Sequence, residues 1–357
     1  MDYNLQIQKL LVKMDAVASP QDKLTLLKQA ITLADTHNDV EWGFDLRLEL
    51  IDVESDTPCR SDSLPAFTWI VEAYEQNPDL FKERDFVWKY KWMISYVRRN
   101  ASISMEQIDA IVEDFKMRLQ RNGYSLRAYY YSKVHMAYFL GNLEDARINL
   151  ELADKELRDN MSNCAACELD DKVELQLRSG NFDSAMTMGQ DLFTKKLTCG
   201  HMPFTTYCTC VECFTKANDF EKAHEFFLKA EEDLLATEND TSQILNVSKL
   251  ILFLSIYNRE KAWEYFEEYC DWSYGADDYY TFIFAKNILP LLNEDGNRTL
   301  KINAVMPWYK SDNNYDIKEL YNYYYNIAND LARRFDARNN SVYVTHQLEN
   351  IFAIGKN

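Results

Sequence analysis

The sequence predicts an all-α solenoid of stacked helical hairpins, and three observations carry that prediction. One segment pattern recurs four times at nearly constant spacing. Gly occurs 9 times and Pro 7 times in 357 residues, too few to break the chain anywhere but at short turns. The periodic segments are rich in Leu, Ala, Glu and Lys, while β-branched alternation is rare. A hydrophobic fraction of 47% and an aromatic fraction of 14% supply a large core and exclude wholesale disorder.

From the N-terminus, residues 1–124 read as divergent hairpins. The stretch SPQDKLTLLKQAITLAD (19–35) predicts a helix, with Ser19 as N-cap, Pro20 in the first turn and Ala30 and Ala34 at helical spacing. DVEWGFDLRLELIDV (39–53) predicts another, and SLPAFTWIVEAYEQNPD (63–79) a third that stops at Asn77-Pro78. Two more helices are expected over 81–99 and 104–123, the second opened by Ser104 and Gln107 at capping-box spacing.

The recurring pattern follows: YFLGNLEDARINLELAD (138–154), LRSGNFDSAMTMGQDLF (177–193), FTKANDFEKAHEFFLKA (214–230) and LSIYNREKAWEYFEEYC (254–270). In each, an aromatic or aliphatic helix end meets a two-residue Gly/Asn-type turn and an acidic residue, then Ala opens a second helix. The aligned alanines are Ala146, Ala185, Ala223 and Ala262, separated by 39, 38 and 39 residues on subtracting their positions. These segments resemble tetratricopeptide repeats, whose helix–turn–helix unit is roughly 34 residues long. In that family a second small residue follows the first by seven positions. Ala146 with Ala153 and Ala223 with Ala230 match both, whereas Leu192 follows Ala185 and Tyr269 follows Ala262. The units here run about four or five residues longer, which places extra length between hairpins. The match is densest over 125–271. It implies a right-handed superhelical array as a single domain over 1–357, with 272–357 as a divergent hairpin and cap.

Within that last part, DDYYTFIFAKNILPLL (277–292) predicts a helix up to Pro290, 293–314 is irregular, and IKELYNYYYNIANDLARRFDARN (317–339) predicts a final amphipathic helix.

Charge and motifs narrow the chemistry. A formal −18 repels phosphate backbones and anionic lipid, so neither nucleic acid nor membrane is an expected partner. The basic-aromatic stretch Trp88-Lys89-Tyr90-Lys91-Trp92, with Arg98 and Arg99, reads as core tryptophans with exposed lysines. There is no Gly-rich phosphate loop, and the five His form no metalloprotease motif, so an enzyme is not expected. Residues 1–18 lack the features of a signal peptide and no apolar run reaches membrane-spanning length, which leads us to expect a cytoplasmic protein with reduced thiols.

Among the 8 Cys, the Cys164-x2-Cys167 pair before one hairpin and Cys199-x-His201 after it offer three thiolates and an imidazole to a tetrahedral ion. A structural zinc held by Cys164, Cys167, Cys199 and His201 is the one cofactor the sequence points to. The competing readings are small packed loop residues and a redox Cys-x2-Cys, which lacks its usual βαβ setting. The chain also resembles bacterial tetratricopeptide proteins of unassigned role that carry a Cys-x2-Cys at the start of a hairpin; Cys164, Cys167 and Cys199 match, and His201 has no counterpart there. Cys208, Cys210 and Cys213 share a helix but not a face, and read as packing.

The family resemblance further implies a concave groove lined by the first helix of each hairpin. Registered on the alanines, its positions fall on Tyr131, His135 and Tyr138, then Asp170, Glu174 and Arg178, then Glu212 and Lys216. Asp170, Glu174 and Glu212 would then face a peptide with basic and apolar residues, with Tyr131 and Tyr138 as platforms; ordinary solvated side chains are the alternative. The function expected is a protein- or peptide-binding adaptor or regulatory scaffold. The alternative is a metal- or thiol-dependent enzyme centred on Cys164, Cys167, Cys199 and His201.

Overall fold

The computed structural model describes residues 2–236 and 240–355. Among them the chain is all-helical apart from one short ribbon, and helices adjacent in sequence pack on one another. The helices are α1 (Tyr3–Asp15), α2 (Pro20–Thr36), α3 (Val40–Ser55), α4 (Ser63–Gln76), α5 (Tyr90–Arg99) and α6 (Met105–Arg121). The repeat region supplies α7 (Arg127–Leu140), α8 (Leu143–Lys155), α9 (Ala165–Arg178), α10 (Phe182–Met188), α11 (Gln190–Phe193), α12 (Phe204–Lys216), α13 (Phe220–Ala236), α14 (Ile244–Tyr257) and α15 (Arg259–Tyr269). After α16 (Asp278–Leu292), β1 (Asn297–Thr299) pairs antiparallel with β2 (Asn314–Asp316), and α17 (Ile317–Asn339) and α18 (Tyr343–Glu349) complete the chain. No helix of the described residues is long and apolar enough to cross a membrane.

The local signals explain most boundaries. Ser19 caps α2 by accepting from the Asp22 amide, and Ser104 opens α6 with a full capping box: its Oγ accepts from Gln107 N at 3.2 Å while Gln107 Oε1 accepts from Ser104 N at 3.0 Å. All four aligned alanines are fully buried, as are Ala153 and Ala230, so the small side chains sit inside the packed hairpins. One cluster of buried apolar side chains runs from Ile7 to Leu348, and a smaller one gathers around Tyr131, Val134 and Leu150.

Four sequence expectations change. The helix expected over 81–99 begins only at Tyr90; two 3-10 turns precede it, pinned where buried Glu83 accepts from Arg118, Arg121 and Asn122. Pro290 lies inside α16 instead of ending it, one turn from a C-terminus whose Pro290 and Leu291 carbonyls accept from the Arg259 guanidinium. The second helix expected in the 177–193 segment is broken at Gly189, a weak helix former. The irregular stretch 293–314 contains β1 and the start of β2.

A repeat array that touches only its sequence neighbours would leave its two ends apart. Here they meet. Buried Arg99 of α5 pairs with buried Asp277 at 3.0 Å, and the Asp277 amide donates to the Pro58 carbonyl at 3.0 Å. The Ala101 amide donates to Asp278 Oδ2 at 2.8 Å, and Arg338 of α17 donates to the Arg98 and Asn100 carbonyls at 2.9 and 2.8 Å. Phe139 of α7 packs on Phe335 of α17 with ring centroids 5.5 Å apart. At the α7–α8 turn, Gly141 has φ +73, and a Cβ there would run into the Tyr343 ring of α18. The first helices of successive hairpins, α5, α7, α9, α12, α14 and α16, therefore close around a shared interior.

Candidate functional site

That interior is a cavity of about 490 Å³. Helix α5 contributes Arg98 and Arg99, α7 His135 and Tyr138, α9 Cys167, Asp170, Asp171, Glu174 and Arg178, and α12 Thr205, Thr209, Glu212 and Lys216. Lys249 comes from α14, Tyr279 and Tyr280 from α16, and Tyr343 and Gln347 from α18. A second cavity of about 580 Å³ shares Lys216, Tyr343 and Gln347 and adds Lys286 and His346, with no carboxylate in its wall among the described residues. Every groove residue expected from the sequence lines the first cavity except Tyr131. Its ring is 1% exposed in the smaller core cluster and its hydroxyl lacks a hydrogen-bond partner, so it is packing and not a platform.

Most of the charges lining the cavity are answered from within the protein. Arg178 Nε donates to Glu174 Oε1 at 2.6 Å, and Lys216 donates to Glu212 at 2.5 Å while Lys249 stands 3.9 Å from the other Glu212 oxygen. Burial raises the cost of both carboxylates, but these cations outweigh it and hold them below the usual range. His135 Nε2 is 2.8 Å from Asp171, whose carbonyl accepts from Tyr138 at 2.5 Å. Asp170 has no ion-pair partner among the described residues: burial, then the neighbouring Glu174 charge, push it up to about 8 against the pull of Thr206, which donates to it at 2.6 Å, and of Lys249, so near neutral pH it is mostly protonated. Arg98 carries no ion pair among the described residues; burial and the adjacent Arg99 pull its guanidinium down to about 10. Lys286 is 1% exposed, and its ammonium has Gln347 Oε1 at 3.4 Å as hydrogen-bond partner. Burial and the charge of Lys216 bring it down to about 7.

Sequence reading left out Lys249, Lys286 and Gln347, and it set Arg98 beside a basic-aromatic stretch and not in a cavity. A signal for the lysines exists: each is the one cation in a mostly apolar helix, ILNVSKLILFLSIY and DYYTFIFAKNILPLL. A cation in such a helix calls for polar partners or a pocket on its inner face.

At one edge of the cavity the sulfurs of Cys164, Cys167 and Cys199 lie within 4.8 Å of one another and could hold a metal ion. Cys164 is the N-cap of α9; its Sγ accepts from the Cys167 amide at 3.3 Å and lies 3.3 Å from Cys167 Sγ. Cys199 reaches them from the loop after α11, where it bridges to Met202. Burial works against the Cys164 thiolate, but donation from Cys199 and the Cys167 amide prevails and lowers its pKa, while burial and Cys164 raise that of Cys167. The expected fourth ligand is corrected: His201 Nε2 lies 2.6 Å from Asp240 Oδ2, outside the cluster, because the carboxylate holds the ring and raises its pKa. Cys208 and Cys210 are fully buried and Cys213 packs against the core. Lys89 and Lys91, expected as exposed, are turned inward: Lys89 sits 4.4 Å from the Trp92 ring centroid, and Lys91 sits 3.6 Å from that of Trp88 and donates to the Met161 carbonyl at 3.0 Å.

No protein-family model matches the chain, and no curated protein matches it as a relative.

Proposed function

We propose that the chain is a protein- or peptide-binding adaptor, a right-handed tetratricopeptide-like solenoid whose inner cavity receives an extended peptide segment. One observation carries this reading: the cavity wall is supplied by the first helices of successive hairpins, one after another, as a concave repeat surface requires. Tyr138, Tyr279 and Tyr343 give it aromatic faces, and Ile283 and Leu245 apolar ones. Two of the three carboxylates that suggested a basic peptide, Glu174 and Glu212, are already answered by Arg178, Lys216 and Lys249, and the third, Asp170, is mostly protonated near neutral pH. Arg98 is the charge left open, so the segment that fits carries an acidic group beside apolar residues. The reading places the protein in the cytoplasm, where its eight free thiols stay reduced.

The test is selection from a random peptide library on the full chain and on Leu245→Trp, which fills the cavity from a half-buried position. Peptides pairing an acidic with an apolar residue should be enriched on the wild type and lost on the variant at unchanged melting temperature. Enrichment that survives in Leu245→Trp would place binding elsewhere and overturn the proposal.

A second reading is favoured by the three converging sulfurs. In it the cluster holds a structural zinc ion that ties the loop before α9 to the loop after α11, the seam lengthened by the long repeat. Chelation should then lower the melting temperature; a chain that purifies without zinc and melts identically with chelator would refute it.

A further inference from the structure

We infer that the ion at Cys164, Cys167 and Cys199 keeps an exchangeable fourth position at the cavity, which takes a neutral nitrogen donor from the ligand. This rests on the zinc reading above and joins it to the cavity.

The geometry supplies three donors and no more. Tetrahedral zinc at about 2.3 Å from each sulfur needs sulfurs about 3.8 Å apart, which sulfurs already within 4.8 Å reach by small side-chain rotations. Among the described residues no His, Cys, Asp or Glu adds a fourth donor atom within that distance of all three, and His201 is held by Asp240. Three protein ligands with an open position is the arrangement of exchangeable zinc sites, in contrast to the closed four-ligand structural ones. The open side has somewhere to lead: Cys167 is itself part of the cavity wall, beside Asn163 and Met202. The Cys167 amide donating to Cys164 Sγ orients that ligand from the second layer.

Charge selects the donor. Three thiolates and Zn²⁺ carry a net −1. A fourth thiolate or a carboxylate would bring the centre to −2 close to buried Asp171, which has only His135 against it among the described residues, while Glu168 is already answered by Arg127 and Arg158. A neutral imidazole adds no charge and suits zinc as a borderline ion. The ligand class is therefore a peptide or small molecule that presents a histidine-type nitrogen at this edge of the cavity.

The experiment uses the full chain purified from zinc-supplemented medium without chelator, with imidazole as the probe. Zinc should bind at one ion per chain, weaken ~10-fold or more in Cys199→Ser, whose loop position spares the core, and stay unchanged in His201→Ala. After cobalt(II) replacement, thiolate-to-cobalt charge-transfer bands should appear, and imidazole should shift the ligand-field bands saturably. A chain without zinc and without thiolate–cobalt bands overturns both this inference and the zinc reading. Bands that imidazole leaves unmoved overturn the open position alone and leave the structural staple standing. Loss of zinc in His201→Ala also overturns it. Because the imidazole titration is made on the wild type, it decides the question even where a cysteine variant fails to fold.

Discussion

Replacing Lys286 with Met should stabilise the protein, and by an amount that depends on pH. The ammonium is 1% exposed, has Gln347 at 3.4 Å as its hydrogen-bond partner, and is pulled from the ordinary 10.5 down to about 7 by burial and by Lys216. Between those two values the unfolded chain binds a proton that the folded chain has lost, so the Lys286 contribution makes stability rise with pH through that window. Each tenfold in the proton equilibrium is about 1.4 kcal/mol, which puts the cost of holding Lys286 in place at roughly 5 kcal/mol at pH 6 and about 2 kcal/mol at pH 9. Methionine fills a similar volume without a charge to desolvate, though it gives up the Gln347 contact. The variant should therefore gain more at pH 6 than at pH 9, the difference being roughly 3 kcal/mol at its ceiling. Urea unfolding followed by far-UV circular dichroism at both pH values measures it, since the other titrating groups cancel between variant and wild type. A variant–wild-type gap that is the same at pH 6 and pH 9 would refute the claim that Lys286 is a buried, poorly compensated cation.

Two further outcomes test the closure of the chain on itself. Asp277→Ala strands the buried Arg99 guanidinium and should cost ~3–5 kcal/mol in denaturant unfolding, far more than a surface ion pair; a loss under about 1 kcal/mol would mean that the ends are not held there. Gly141→Ala meets both a left-handed backbone and the Tyr343 ring and should lower the melting temperature, with Tyr343→Ala in the same chain restoring part of the loss; additive effects of the two changes would deny the contact between the α7–α8 turn and α18.

Periodicity and capping made the helices legible: Ser19, Ser104 and the four alanines act through contacts a few residues away, and those contacts appear in the structure as read. The thiol cluster was legible for the same reason, because Cys164 and Cys167 share a helix start and the hairpin between them and Cys199 has a fixed length. What could not be read depends on distant partners. His201 was lost to Asp240, and Tyr131 turned into the packing between α7 and α8 although its register matched the groove. The charge of the cavity reversed in sense because Lys249 reaches it from a helix that was not registered on the groove, as Lys286 reaches the second cavity from one that the resemblance covered weakly. No local pattern marks the pairing of Arg99 with Asp277, 178 positions away by subtraction, since each is an ordinary surface charge until the fold buries it.

In a linear stack of hairpins, a terminal unit can peel away by giving up a single interface, and fraying travels inward from either end. Once Arg338 and Asp277 clasp the α5 region, those terminal elements gain a second interface, and the cheapest local opening must break two contacts in place of one. Native-state hydrogen exchange should therefore show α16 and α17 protected as strongly as the central hairpins, and anything entering the interior must pass through its rims or wait for the clasp to part.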